Sequence, residues 1–224
     1  MNQKSDEKRY IPALSFRWLT PLYDPLLKWV MREETFKRKL IQQAGIQPKM
    51  KVLDLGCGTG TLTLMLKQTH PEAEVTGLDG DPQVLDIARE KSRGTDIQWD
   101  EGLASSLQYP DSVFDRVVTS LVIHHLTTDD KRRAFKEIHR VLKPLGELHV
   151  LDFGAPHSFL THFMTTYMRR LEETADNFDG LIPRFITEAG FGRRPERVKG
   201  SVNEVEHFVT IFGPLSMLRA VKGA

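Results

Sequence analysis

Three glycines stand in the stretch Val52-Leu53-Asp54-Leu55-Gly56-Cys57-Gly58-Thr59-Gly60, where a β-branched run hands over to a helical one. Lacking side chains, they let the backbone turn sharply and come close to a ligand. The spacing is G-x-G-x-G, and Thr61 occupies the position where a dinucleotide loop of the G-x-G-x-x-G kind takes its third small residue. Asp54 lies just ahead of the loop, where a carboxylate disfavours a pyrophosphate and favours a cation. A plain strand-to-helix turn without a ligand is the alternative. Asp79 ends the next β-branched run, nineteen residues after Gly60. A carboxylate in that place can accept hydrogen bonds from both hydroxyls of a ribose. Its other reading is a cap for the turn Asp79-Gly80-Asp81-Pro82, although Asp81 already suits that role.

Further along, His124 and His125 follow the fourth β-branched run, at the sheet edge where open α/β folds bind ligands. An imidazole with a pKa near 6.5 suits a general base or a substrate-orienting group at neutral pH. A structural histidine bonded to the backbone is the competing reading. Asp152 closes the fifth run and either takes a proton from an acceptor hydroxyl or fixes a loop. His139, His149, His157 and His162 lack metal-ligand clustering, since His157 and His162 are five apart rather than four. Cys57 fits the glycine loop by its small size. Arg193-Arg194 with Arg197 reads as a solvated turn or as a clamp for an anionic substrate.

These residues require elements to hold them. Lys51–Leu55 reads as the first strand, Thr61–Gln68 as a helix and Glu74–Leu78 as the second strand. Asp81-Pro82 opens the next helix, because Asp caps free N–H groups and Pro suits the first helical position. Ile97–Asp100 is a short strand, Gly102–Asp111 a loop and Asp115–Ser120 the fourth strand. Ala134, Phe135, Ile138, Val141 and Leu142 recur at helical spacing between Asp130 and Leu142. Lys143-Pro144 and Gly146 end that helix before a fifth strand, Glu147–Phe153. Strands alternating with helices imply a parallel sheet covered on both faces. Helical stretches near Pro156–Glu173 and Gly180–Ala189 follow. Two strands, Glu196–Val202 and Leu215–Lys222, are expected to close one edge as an antiparallel pair. An interrupted apolar stripe from Leu26 to Ala44 marks a helical cap over residues 1–49, ahead of a ligand-binding unit over residues 50–224. The fold class is thus α/β: a doubly wound, Rossmann-like, seven-stranded mixed sheet.

The chain has 224 residues with 40% hydrophobic and 27% charged side chains, the profile of a single soluble globular domain. Thirty-one basic against thirty acidic residues leave a formal charge of +1, so the basic excess of a nucleic-acid binder is missing. A lone cysteine excludes an internal disulfide framework and a multi-thiolate metal site. No signal peptide or membrane span is visible, which makes the cytoplasm the expected compartment. Charge is uneven: residues 1–50 hold ten basic and five acidic side chains, residues 51–154 twelve and seventeen. The acidic middle either seats a basic helix face or houses a cationic ligand.

Four ordered blocks, VLDLGCGTG, VTGLDGDPQVLDIAR, FDRVVTSLVIHHL and FKEIHRVLKPLGELHV, resemble a class I S-adenosylmethionine-dependent methyltransferase. The nearest broad group is the methyltransferase type 11 family, with its ubiquinone/menaquinone-biosynthesis members. The resemblance spans roughly residues 50–150. It implies that Gly56, Gly58 and Gly60 pass beneath the methionine part of S-adenosylmethionine, with Asp54 orienting the loop and attracting the ammonium. It implies Asp79 for the ribose diol, with Gly80 alongside and Leu121 lining the cofactor. The family's adenine-binding acid is replaced by Leu103, so apolar packing and the backbone of Leu103 and Ala104 would hold adenine. Losing one neutral hydrogen bond costs about 0.5–1.5 kcal/mol, which does not change the cofactor. Leu145 stands where the family has Gly. Tyr23, in a Tyr-Asp pair, is implied near the methionine end, or is a core tyrosine. His125 matches a recurrent family histidine.

The implied activity is transfer of the methyl group to O, N or C of a small-molecule acceptor, with S-adenosylhomocysteine as product. Such an enzyme works by alignment and exclusion of water, so a strong base is optional. Rival readings are an NAD(P)-type Rossmann oxidoreductase and a non-catalytic S-adenosylmethionine-binding regulatory protein. Phe16, Trp18, Trp29, Phe159, Phe163, Tyr167 and Phe178 either line a hydrophobic or aromatic acceptor pocket or belong to the core. No nucleic acid and no membrane span enters this expectation.

Overall fold

A computed structural model describes residues 33–156, 165, 173–192, 203–210 and 213–224. Its elements run α1 (Glu33–Ala44), β1 (Lys51–Leu55), α2 (Thr61–Thr69), β2 (Glu74–Asp79), α3 (Pro82–Lys91), β3 (Gln98–Glu101) and β4 (Phe114–Ser120). A 3-10 turn (Ile123–His125) leads into α4 (Thr128–Val141), β5 (Leu142–Phe153), α5 (Ala175–Phe178), α6 (Ile182–Glu188), β6 (Asn203–Thr210) and β7 (Gly213–Val221). The strands form one sheet in the order β3-β2-β1-β4-β5-β7-β6. The first five are parallel; β7 runs antiparallel to both β5 and β6.

The helices start and stop where their residues dictate. Asp81 accepts from the backbone N–H of Gln83 at 2.8 Å with Pro82 in the first turn, and Thr127 caps α4 through the N–H of Asp130 at 3.2 Å. On α4 the expected stripe of Ala134, Phe135, Ile138 and Val141 is buried. It meets Leu53, Val117, Leu148 and Val150 on one face of the sheet, with Phe185 and Ile186 of α6. The other face carries Val52, Val75, Val118 and Leu151 under Leu40 and Ile41 of α1 and Leu62 and Leu66 of α2. Strand alternation divides the two sets, so Val52 and Asp54 face α1 and α2 while Leu53 and Leu55 face α4. Arg116 holds α1 to the sheet by donating from Nε to the carbonyl of Ala44 at 2.8 Å.

Three boundaries differ from expectation. The fifth strand begins at Leu142 rather than Glu147, because the chain stays paired through a register shift in β4. Leu145, at φ 64, takes a left-handed conformation there. The helix expected over Gly180–Ala189 is α6, which starts only at Ile182 because Gly180 takes φ 69, and the one-turn helix α5 precedes it unexpected. The sixth strand runs over Asn203–Thr210, since Thr210 pairs with Gly213 across only two residues and that closure sets the register backward. The expected Glu196–Val202 strand, the Pro156–Glu173 helix apart from its ends and Thr165, the Arg193, Arg194 and Arg197 group, and Tyr23 lie outside the described residues. So do Phe16, Trp18, Trp29, Phe159, Phe163 and Tyr167; Phe178 is buried in the core. Among the described residues no helix is long and apolar enough to cross a membrane, and no group of His, Cys, Asp and Glu is placed to hold a metal ion.

Candidate active site

The carboxyl ends of β1, β2 and β4 meet at the glycine loop, because β1 lies between the other two. The N–H groups of Gly56 and Cys57 both donate to the carbonyl of Leu78, at 2.7 and 3.0 Å, which binds the loop to β2. Gly56, Gly58 and Gly60 have φ of 72, 53 and 79°, a region that side chains disfavour. A Cβ at Gly56 would lie 2.4 Å from Val122, and one at Gly60 2.5 Å from the Trp99 ring. Around Gly58 a Cβ would meet nothing within 4 Å. Packing therefore demands two of the glycines, while the third presents bare backbone to open space.

Two carboxylates flank that opening. Asp54 is buried at the end of β1 and accepts from the Thr63 hydroxyl on α2 at 2.6 Å. Burial pushes its pKa up to about 6, against the Thr63 hydrogen bond and the attraction of buried Lys37 on α1; the charge of Asp79 adds to the rise. Asp79 accepts from the N–H of Gly58 at 2.8 Å through one oxygen and from Asp81 at 3.0 Å through the other. It thus pins the glycine loop to the turn before α3, while Asp81 caps that helix. An ionised carboxylate has about four acceptor sites, so these two bonds leave capacity for a diol. Burial raises the pKa of Asp79 too, opposed by the N–H groups of Asp81 and Gly58.

The remaining described residues named for the cofactor sit on the turns that follow β2, β3 and β4. Gly80 follows Asp79, and Gly102 donates to the Asp79 carbonyl at 2.9 Å, tying the next loop to β2. There Leu103 is half-buried and its carbonyl accepts from Ser106 at 3.0 Å, while Ala104 packs on the α4-side core. Leu121, left-handed at φ 59, donates to the Leu151 carbonyl at 2.8 Å and packs on the other core. Cys57 is buried, and burial drives its thiol pKa upward, so it stays protonated and unreactive.

Sequence reasoning missed three residues. Thr63 is the donor that makes a buried Asp54 tenable. Trp99 walls the loop and donates from its indole to Ser92 at 2.9 Å. Ser120 ends β4 on the Asp54 face, two residues beyond Val118, the register partner of Asp54; its hydroxyl oxygen is buried without a hydrogen-bond partner. Only its position at a strand end could have singled it out.

Beside this set lies a second one. Asp152 is buried on the α4 face and accepts from the backbone N–H of Val122 at 3.0 Å, Ile123 at 2.7 Å and Phe153 at 2.7 Å. Nδ1 of His124 lies 2.7 Å from the same oxygen that accepts from Phe153. Burial alone would raise the carboxyl pKa, but His124 and these donors hold it below the ordinary value. Its lone pairs are spent on the turn after β4, which favours loop fixing over proton abstraction. The ring of His125 stacks on His124 at 3.9 Å. Burial foremost, with the His124 charge, lowers its pKa to about 3 despite Asp152, so it is neutral at physiological pH.

Residues 52–146 match the family described as a methyltransferase domain. Over 165 residues the chain is 33% identical to a demethylmenaquinone methyltransferase of Deinococcus radiodurans, covering 71% of this chain and 67% of that protein. The chain belongs to the class I S-adenosylmethionine-dependent methyltransferase family. A second relative, the demethylmenaquinone methyltransferase of Thermus thermophilus, is 37% identical over 145 residues, or 63% of this methyltransferase and 65% of the relative. The chain therefore spans about two thirds of the length of these relatives. A solved S-adenosylmethionine-dependent methyltransferase from Methanosarcina mazei matches with a TM-score of 0.63 at 23% identity, covering 82% of this chain and 97% of that one. That likeness bears on the fold alone, and it is the seven-stranded mixed sheet expected for the methyltransferase.

Proposed function

We propose that this protein moves the methyl group of S-adenosylmethionine to a nucleophilic atom of a small aromatic acceptor, the reduced ring of a naphthoquinone being the class that its relatives' names support. The observation that carries this reading is the pair of carboxylates, buried Asp54 and half-buried Asp79, flanking the bare backbone of Gly58. The cofactor bears a sulfonium and an ammonium against one carboxylate, and anionic walls suit that net positive charge where they would repel a polyphosphate. When bound, it supplies a methyl carbon already activated by positive sulfur. Asp54 would hold the ammonium, Asp79 the ribose diol, and Leu103 with Ala104 the adenine. The unpaired Ser120 hydroxyl fits a polar group at the methionine end.

The protein's own work is then alignment and dehydration. The glycine loop and Leu121 set the depth of the cofactor, and Tyr23 is proposed near its methionine end. His125, neutral and half-buried at the edge of the sheet, suits an acceptor-orienting role, with Asp152 holding its turn. Transfer to an electron-rich ring carbon or oxygen needs in-line approach more than a strong base.

A melting titration with S-adenosylhomocysteine tests the reading. At a hundredfold excess over Kd the ligand should stabilise by about 2.7 kcal/mol, raising Tm by about 5–11 °C. Asp79→Ala should lose most of that rise. An unmoved wild-type melt would refute the cofactor. Labelled S-adenosylmethionine with fractionated metabolites would then identify the acceptor.

A further inference from the structure

Asp152 has a fifth donor. Nδ2 of Asn177, on α5, lies 3.4 Å from the carboxylate oxygen that also holds His124, and donates to the carbonyl of Phe153 at 3.2 Å. Asn177 is buried, and its amide oxygen has no hydrogen-bond partner. Its helix is a single turn of four residues, too short to stand alone. What holds it is Lys131 of α4, fully buried, which donates to the Glu173 carbonyl at 2.5 Å and to Asp176 at 3.2 Å. The Thr128 hydroxyl donates to the same Asp176 oxygen at 2.7 Å, and the Phe178 ring lies 5.6 Å from Phe153.

A fully buried lysine paired with a half-buried carboxylate, and an unmatched buried amide oxygen, are poor ways to gain stability, since apolar side chains would do as well or better. They are good ways to fix a position. The turn leaving β4 lies at the carboxyl edge of the sheet, where a ligand of an open α/β fold approaches, and α5 meets the end of β5 beside it. Asp152 grips α5 through Asn177 and the turn through His124 and two backbone N–H groups.

We infer that Asn177 is a positioning residue, which through Asp152 and His124 locks α5 to the turn carrying His125 and so sets the spacing of two walls of the acceptor site. This rests on the methyl-transfer reading above and extends it from cofactor to acceptor. Asp152 from β5 and His125 from its own turn both face His124, and Asp176 of α5 turns to Lys131. Removing the Asn177 amide leaves more of the Asp152 charge to His124. Placing a second carboxylate there sets two anions in one buried site, a strongly unfavourable arrangement.

The test compares the full chain with Asn177→Ala and Asn177→Asp, each saturated with S-adenosylhomocysteine. Histidine side-chain NMR is followed over about pH 5 to 9, the range in which imidazoles titrate. The His124 and His125 ring shifts should differ from wild type in the alanine protein and differ further in the aspartate protein. With labelled S-adenosylmethionine and dithionite-reduced naphthohydroquinone, the acceptor KM should rise about tenfold, equivalent to about 1.4 kcal/mol of lost positioning, while the Kd of S-adenosylhomocysteine stays at the wild-type value. In the aspartate protein kcat/KM should also fall as pH rises, and in the alanine protein it should not. Superimposable His124 and His125 ring shifts in all three proteins, or loss of cofactor affinity in parallel with activity, would overturn the inference. If the alanine protein does not fold, the near-isosteric aspartate protein decides alone. Wild type failing to bind S-adenosylhomocysteine would sink the methyl-transfer reading instead, while unliganded NMR would still report the coupling.

Discussion

Asp54 enters the fold with its pKa raised from 3.8 to about 6, and the sign of that shift sets two opposite pH responses. The folded state keeps a proton that the unfolded chain has released, so the unliganded protein loses stability as pH climbs from about 4 to about 6. A bound ammonium group needs the ionised carboxylate, so affinity for S-adenosylhomocysteine should rise over the same window. Below about pH 6, Kd should weaken by up to tenfold per pH unit, as measured by calorimetry, and Asp54→Asn should flatten the profile. A flat wild-type profile would separate Asp54 from the ligand. Gly58→Ala offers a second residue-scale prediction. The left-handed φ of 53 should cost about 1–2 kcal/mol of stability. The new methyl group would project into the opening, so ligand affinity should fall far more than Tm, by about tenfold or greater. Asp54, Asp79 and the three glycines were legible because their types and spacing are themselves the signal. Thr63, Trp99 and Ser120 were not, because a hydroxyl or an indole gains meaning only from what burial places beside it.

Helices and strands differ in how far their residues announce them. The strands β1, β2 and β4 lie within a residue of their expected bounds, since buried parallel strands are continuous apolar runs with sharp ends. Elements after Phe153 were harder to place. The one-turn helix α5 owes its place to Lys131 and Asp176, 45 residues apart in sequence and 3.2 Å apart in space. Lys131→Met should leave half-buried Asp176 and the Glu173 carbonyl without their cation and destabilise the protein by about 3 kcal/mol, visible as a lower denaturation midpoint. Because α5 is far from the glycine loop in the chain, affinity for S-adenosylhomocysteine should be retained at temperatures where the variant remains folded. An unchanged midpoint would mean that the pair contributes nothing.

The whole molecule is one sheet with a core on each face, and β1, β4 and β5 contribute to both. Damage on either face is therefore expected to propagate through the shared strands. Leu40→Ala on α1 removes a fully buried side chain and should cost about 2–5 kcal/mol. In scanning calorimetry that loss should lower a single transition; a separate early transition would mean that α1 and residues before it unfold as their own unit.

From the amino-acid order alone came the doubly wound sheet, the glycine turn and the two carboxylates that point to S-adenosylmethionine, because each is written in local periodicity and in residues a few positions apart. Tertiary structure decided what those residues do to one another. It gave Gly58 open space while Gly56 and Gly60 were walled in, turned Asp152 away from proton transfer by filling its oxygens, and brought Asn177 to it from a distant segment. Contacts between residues so far apart in the chain depend on which faces pack together, and that packing is a property of the folded whole.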